Sequence, residues 1–299
     1  SSLMKLQQLQ ALVTVVDEGS IRAAARALHL SQAAITKSMR LLEDEAGVAL
    51  LHRGSRGVVL TESGQKLLQR ARLITRQVHL ATEEMRQASG QDRGSVRLGV
   101  TPYLTLTGLG EAFSWFRQRY QHVQVQLIEG LMSRVLPRLR DGTLDIAVVA
   151  TDVGDLRGDE FHRRVLRQVP QAVVVREGHP MLSRPNARAL CELEWILTQP
   201  LAPERQPQLH AMFDRAGVSP PQSVVVCETL AAMTLLRHSN AVSVMPIPLL
   251  GHPETRGLQA VPKRVLQPAD IEVLLLHRPD VPLTPAAEFF AHCLTSDSR

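Results

Sequence analysis

Cysteine is scarce in this 299-residue chain: Cys191, Cys227 and Cys293 are odd in number and widely spaced. No Cys-x-x-Cys pair or histidine-rich companion accompanies them, so a disulfide framework is not expected. The expectation is buried, reduced thiols rather than a redox-sensing pair. No apolar run approaches the roughly 20 residues of a membrane helix, and the N-terminal stretch lacks the pattern of a secretory signal. A cytoplasmic protein with no membrane partner is expected. Internal repeats and low-complexity tracts are missing too. Gly-x-Ser-x-Gly, Gly-x-x-x-x-Gly-Lys and His-Glu-x-x-His do not occur, and the eleven histidines are scattered. The sequence therefore offers no catalytic residue, metal site or resident cofactor. The adjacent carboxylates Glu43-Asp44-Glu45 fall at a helical corner that makes a poor acid–base pair.

What is present is globular: 44% hydrophobic and 21% charged residues, in a length sufficient for two or three domains. The charge is unevenly placed. Residues 1–90 hold 12 Lys and Arg against eight Asp and Glu, net +4, and the remaining 209 residues carry net +1. Basic excess at one end suits phosphate contacts there.

The residues from Ser20 to Gly64 show what such contacts would serve. Ser20 is placed to cap a first helix, whose Ile21, Ala24, Ala25 and Leu28 share one apolar face. Ser31 caps a second, in which Ile35, Met39 and Leu42 face inward while Gln32, Thr36, Lys37 and Arg40 lie opposite. Amide, hydroxyl and cationic groups on one helix face can reach base edges and phosphates in a major groove. Gly47 is a natural stop. Two apolar stretches then flank a Gly/Ser/Arg tip, read as a hairpin wing presenting Arg53 and Arg56 to the backbone or minor groove. The plainer alternative is a helical corner with solvated charges. Upstream, Leu6, Leu9, Leu12, Val13 and Val16 form a helical face able to complete a three-helix core.

The run AAARALHLSQAAITKSMRLLEDEAGVALLHR…LTESG resembles the DNA-binding signature of the LysR-type transcriptional regulators, over roughly the first 65 residues. Leu51 stands where the family usually has Phe, and Ile21-Arg22 replace the usual Phe-Thr; these are packing and helix-start positions. The resemblance implies that Gln32, Ala33, Thr36 and Lys37 face bases, with Ser31 at the helix start and Arg53 in the wing. It also implies a double-stranded DNA operator, RNA polymerase as a partner, and a homotetramer built as a dimer of dimers.

Thr61 reads as the cap of a long helix to about Ala88. In it Leu67, Ala71, Ile74, Val78, Ala81 and Met85 recur at alternating spacings of four and three, the stripe of a coiled-coil dimer seam. Packing against the chain's own domain is the alternative. The organisation expected is a winged helix-turn-helix at 4–61, a linker helix at 62–89 and an effector domain at 94–299, after a hinge at Ser89–Gly94. Beyond it strand and helix patterns alternate. Aliphatic runs such as Ile146–Val149 and Val273–Leu276 suit strands buried on both faces of a mainly parallel sheet. The family resemblance implies two α/β subdomains similar to periplasmic binding proteins, at 94–164 with 268–299 and at 165–267. The crossings would fall near Phe161–Gln168 and Pro262–Asp270.

Ligands of open α/β sheets bind beyond the carboxyl ends of strands, near helix N-termini. That rule selects Thr101, Pro102, Tyr103, Glu129 and Thr151 in one subdomain. In the other it selects Thr198, Gln199, Thr229, Met245 and Pro246. A threonine-lined cleft suits a small organic anion, an aromatic carboxylate or sulfonate, although each threonine could equally cap its own helix. Glu129 would repel an anion unless paired. The alternative function is a solute-binding protein of the periplasmic type, which leaves the first 90 residues unexplained.

Overall fold

The structure is a computed structural model and describes residues 4–52, 57–91, 93–154, 156 and 158–295. Its first three helices, α1 (Leu6–Asp17), α2 (Ile21–Ala27) and α3 (Gln32–Ala46), surround one small core. Leu9, Leu12, Val15, Ala24, Ala25, Ile35, Met39 and Leu42 fill it. The small Ala24 and Ala25 let α2 and α3 approach closely. On α1 the buried face is set by Leu9, Ala11, Leu12 and Val15. It is turned slightly from the expected one, leaving Leu6, Val13 and Val16 at its margin.

The 27-residue α4 (Glu62–Ala88) starts on this core and runs out of it. Gly64 makes that start possible, because a Cβ there would lie 2.1 Å from the Leu50 carbonyl oxygen. The expected stripe on α4 divides. Leu67 and Ala71 enter the N-terminal core, whereas Ile74, Val78, Ala81 and Met85 are exposed.

Two residues out of phase, hence on the opposite face, Arg76, Leu80 and Glu83 are buried against the second half of the chain. Arg76 donates to both Asp145 carboxylate oxygens at 2.7 and 2.9 Å, and Asp145 also accepts the Arg97 backbone N–H at 2.8 Å. Glu83 accepts from the Ser95 hydroxyl at 3.1 Å and from His79 at 2.9 Å. Arg72 bridges Asp17 on α1 at 2.5 Å and Asp141 at 3.9 Å. A polar face of the linker thus clamps this chain's own domains while its apolar face is left open.

Among the described residues ten strands follow: β1 (Ser95–Val100), β2 (Gln124–Glu129), β3 (Ile146–Asp152), β4 (His162–Val169), β5 (Gln171–Arg176), β6 (Trp195–Leu197), β7 (Val224–Val226), β8 (Ser243–Pro246), β9 (Leu258–Ala260) and β10 (Ile271–His277). Between them lie α5 (Pro102–Thr107), α6 (Leu109–Arg119), α7 (Met132–Arg140), α8 (Ala187–Cys191), α9 (Pro207–Arg215) and α10 (Thr229–His238); α11 (Pro285–Thr295) follows β10.

The first sheet has the order β2-β1-β3-β10-β4 and the second β8-β5-β9, with β6-β7 as a separate pair. The mainly parallel sheet expected from the aliphatic runs is corrected here. Although β1, β2 and β3 are parallel, β10 is antiparallel to both its neighbours, and β5 is antiparallel to β8 and β9. A strand returning from the far end of the chain enters with its own polarity. An aliphatic run reports burial on two faces and carries no record of pairing direction. The first sheet keeps the chain to Val169, past the boundary expected at 164. The second crossing, 262–270, contains no strand.

Candidate functional site

At the N-terminal end the geometry is that of a reading helix. The Ser20 hydroxyl caps α2 by accepting from Ala23 N–H, and the Ser31 hydroxyl caps α3 by accepting from Ala34 N–H, each at 3.1 Å. Between the helices His29 adopts φ 54°, the left-handed conformation that closes the tight turn. Ile35, Met39 and Leu42 hold α3 to the core, so Ser31, Gln32, Ala33, Thr36, Lys37 and Arg40 are all exposed on its outer side. Gly47 ends the helix at φ 68°.

Glu43 accepts the backbone N–H groups of Leu50 and Leu51 at 2.8 and 3.1 Å, fixing the exit from α3. That carboxylate is structural. An antiparallel bridge joins Leu51 to Leu60 at the base of the expected wing, but Arg53 and Arg56 lie outside the described residues. Thr61 caps α4, accepting from Gly64 N–H at 2.9 Å and donating to the Ala49 carbonyl at 2.7 Å.

At the other end a cavity of about 250 Å³ opens between the two sheets, beyond the carboxyl ends of β1 and β3. Nine of the ten residues singled out line it: Thr101, Pro102, Tyr103, Thr151, Thr198, Gln199, Thr229, Met245 and Pro246. Glu129 does not; β2 is the sheet's edge, and its last residue is exposed outside the cavity. Gln171, at the start of β5, and Pro268 and Ala269, within the second crossing, also line it. The Gln171 amide donates to the Ala269 carbonyl at 2.9 Å and ties them together.

Sequence reasoning missed Arg205, Gln206 and Asp152, which also line the cavity. The first two follow a loop without periodicity, in which the Gln206 amide donates to the Gln199 carbonyl at 2.9 Å. The signal that could have found them is the start of α9, since a helix N-terminus facing a cleft was the rule already in use.

The cavity's electrostatics are set by helix ends. α7, α9 and α10 all begin at its wall, with Met132, Gln206 and Thr229 among the lining residues. None of the three carries a side-chain cap. The first N–H groups of a helix have no partner inside it and bear partial positive charge. The helices of the reading module are capped by Ser20, Ser31 and Thr61, so the contrast lies within one chain. Thr101 precedes α5 without capping it, and Thr229 is the first residue of α10 rather than its cap.

The thiols fit none of this chemistry. Burial pushes Cys191 and Cys293 each up to about 11 and raises Cys227 as well. Among the described residues no group of three or more His, Cys, Asp and Glu could hold a metal.

A helix-turn-helix with an exposed polar face, joined by a long helix to a hinged α/β module with a ligand-sized cavity, defines a DNA-binding regulator with a sensing domain. Comparison with known proteins specifies which kind. Residues 6–65 match the bacterial regulatory helix-turn-helix protein, lysR family, and residues 89–299 the LysR substrate binding domain. The chain belongs to the LysR family of transcriptional regulators, proteins that bind DNA and a small-molecule effector and are not enzymes.

The HTH-type transcriptional regulator TdcA of Escherichia coli is 28% identical over 244 residues, covering 82% of this chain and 78% of that one. The SDS degradation transcriptional activation protein of a Pseudomonas species is 29% identical over 290 residues, covering 95% and 93%. Full-length CbnR complexed with its target DNA shares the fold, with TM-score 0.66, 22% identity, and coverage of 97% and 99%. No helix among the described residues is long and apolar enough to cross a membrane.

Proposed function

We propose that the effector is a small organic anion, an aromatic carboxylate or sulfonate, held in the cavity between the sheets, and that its binding changes how α3 meets the operator. The observation that carries this is the arrival of three uncapped helix N-termini, with Arg205, at one cavity. These groups favour negative charge. Size agrees: a cavity of about 150 Å³ holds benzene, so 250 Å³ admits one ring with an acidic substituent. Thr101, Thr151, Thr198 and Thr229 supply hydroxyls, and Tyr103, Met245 and Pro246 supply apolar contact. Closure of the sheets about the crossings at Pro170 and 261–270 supplies the differential affinity that a switch needs.

On the DNA side, Gln32, Ala33, Thr36 and Lys37 read base edges. Ser31, Arg40, Arg53 and Arg56 hold phosphates. Two copies pair through the exposed Ile74, Val78, Ala81 and Met85 of α4, and pairs assemble into a homotetramer that works with RNA polymerase in the cytoplasm.

The test is calorimetric titration with benzoate and benzenesulfonate, alongside benzamide as a neutral isostere. Anions should bind and benzamide should not. Arg205→Gln should weaken binding about ten- to hundredfold, the worth of one charge-assisted hydrogen bond, and Thr101→Trp should abolish it. Equal binding of benzamide and benzoate, or an unaltered Thr101→Trp variant, overturns the assignment.

A further inference from the structure

A second cavity lies at the opposite end of the first sheet. It is an open groove of about 530 Å³ against α11 and the end of α6, and it shares no lining residue with the cavity between the sheets. β10 connects the two, entering the first at Ile271 and the second at Leu275 and His277. At about 3.4 Å per residue, Ile271 and His277 are some 20 Å apart.

Beside the hydroxyls of Tyr120 and Thr295, this groove is lined by Arg119, His162, Arg164, His277, Glu288 and His292. Five can carry positive charge and one negative. Among the described residues neither Arg119 nor Arg164 forms an ion pair. The Arg119 guanidinium instead lies 4.9 Å from the Phe289 ring centre and 5.7 Å from that of Tyr120. Stacking of this kind leaves the in-plane N–H fork available.

His162 and His277 are cross-strand partners on β4 and β10, with rings stacked at 4.6 Å and 23°. His277 Nδ1 is 3.0 Å from the Arg278 carbonyl, which can only accept, so Nδ1 holds a proton and Nε2 is the nitrogen that titrates.

We infer that this groove is a second ligand site, distinct from the effector cavity, which takes a small dicarboxylate and binds it with uptake of a proton at His277 Nε2. Two unpaired guanidiniums match two carboxylates, each able to accept a bidentate fork. Without a ligand His277 resists charging. Burial lowers His277, and His162 lowers it further, against the raising pull of the Arg278 carbonyl and Glu288. Arg119 on α6, Arg164 on β4, and His292 on α11 beside Glu288 complete the charged surroundings. A dianion reverses the balance, so affinity rises as pH falls through the histidine range. The carboxylates of succinate stay largely ionised from about pH 8 to near pH 6, so the pH dependence reports the protein.

Trp115 provides the readout. It is partly exposed, and its ring lies 5.5 Å from that of His292, while Trp195 is fully buried elsewhere. The experiment is titration of the full chain with succinate, followed by tryptophan fluorescence and calorimetry at about pH 6 and pH 8. One succinate should bind per chain, about tenfold more tightly at the lower pH, one pKa unit's worth of coupling. Arg164→Gln, on an exposed edge strand, should abolish binding, and Arg119→Gln should weaken it at least about tenfold. The Thr101→Trp cavity variant should bind succinate as the parent does, which separates this site from the effector cavity. Absence of saturable binding, equal affinity at both pH values, or unchanged binding by Arg164→Gln overturns the proposal.

Discussion

Replacing Asp145 by asparagine removes one charge from the joint between linker and effector domain and leaves its shape nearly intact. Arg76 is 6% exposed and Asp145 5%. The Nε and Nη1 of Arg76 have no hydrogen-bond partner among the described residues, so its charge relies on Asp145. Arg97 stands beside the pair, pulled below its ordinary pKa first by burial and then by Arg76, with Asp145 and, less strongly, Glu83 opposing. The substituted amide would still accept the Arg97 backbone N–H, but the buried Arg76 and half-buried Arg97 guanidiniums would face each other across a neutral group. Removing one partner of a buried pair costs about 3–5 kcal/mol. For a domain of about 200 residues that is roughly 10 °C in Tm. The assay is urea and thermal unfolding of Asp145→Asn, Arg76→Met and the double variant. The double variant should recover most of the loss, because no unpaired Arg76 remains. A single Asp145→Asn that costs under about 1 kcal/mol, the value of an exposed pair, would refute a buried electrostatic joint.

Other outcomes follow from local geometry. Gly64→Ala forces a Cβ against the Leu50 carbonyl, a backbone atom that cannot swing aside; we expect the N-terminal domain to lose about 1–3 kcal/mol in denaturant unfolding. Val78→Asp puts charge on the open face of α4, so sedimentation should show a lighter species, and an unchanged mass would exclude that stripe from the seam. With Cys191 and Cys293 pushed up to about 11, roughly one thiol in a thousand is ionised near pH 8. Alkylation by iodoacetamide should be about a hundredfold slower than for a free thiol, and fast labelling of the native protein would show those sites to be open.

Much of this was legible because it is local. Ser20, Ser31 and Thr61 cap helices that begin where the sequence says they begin, and Gly47 ends one, since each acts on its own turn of backbone. The cavity residues were legible because Thr101 and Thr198 directly follow strands, and Thr151 lies at the end of one, whose hydrophobic runs are unmistakable. What stayed hidden is long-range. The antiparallel entry of β10 depends on a segment more than 100 residues after β3. β4 reads His-Arg-Arg-Val-Leu-Arg-Gln-Val, polar on both faces because it is an edge; only the family resemblance marked that region, as a crossing. β9 has three residues, too few for any alternation to register. Arg76 and Glu83 look like ordinary solvated positions of a charged helix, and only the tertiary fold shows that they are buried. Glu129 was misplaced because the strand-end rule holds for interior strands, and β2 is the outermost.

The proposed function stands on sequence reading by the outer face of α3. The most direct measurement is selection of bound duplexes from a randomised pool by the full chain, in parallel with a chain carrying Gln32→Ala, Thr36→Ala and Lys37→Ala. The parent should enrich a two-fold related pair of half-sites spaced by whole helical turns, and the variant, still folded because all three residues are exposed, should enrich none. Recovery of the same sequence by both proteins would contradict it.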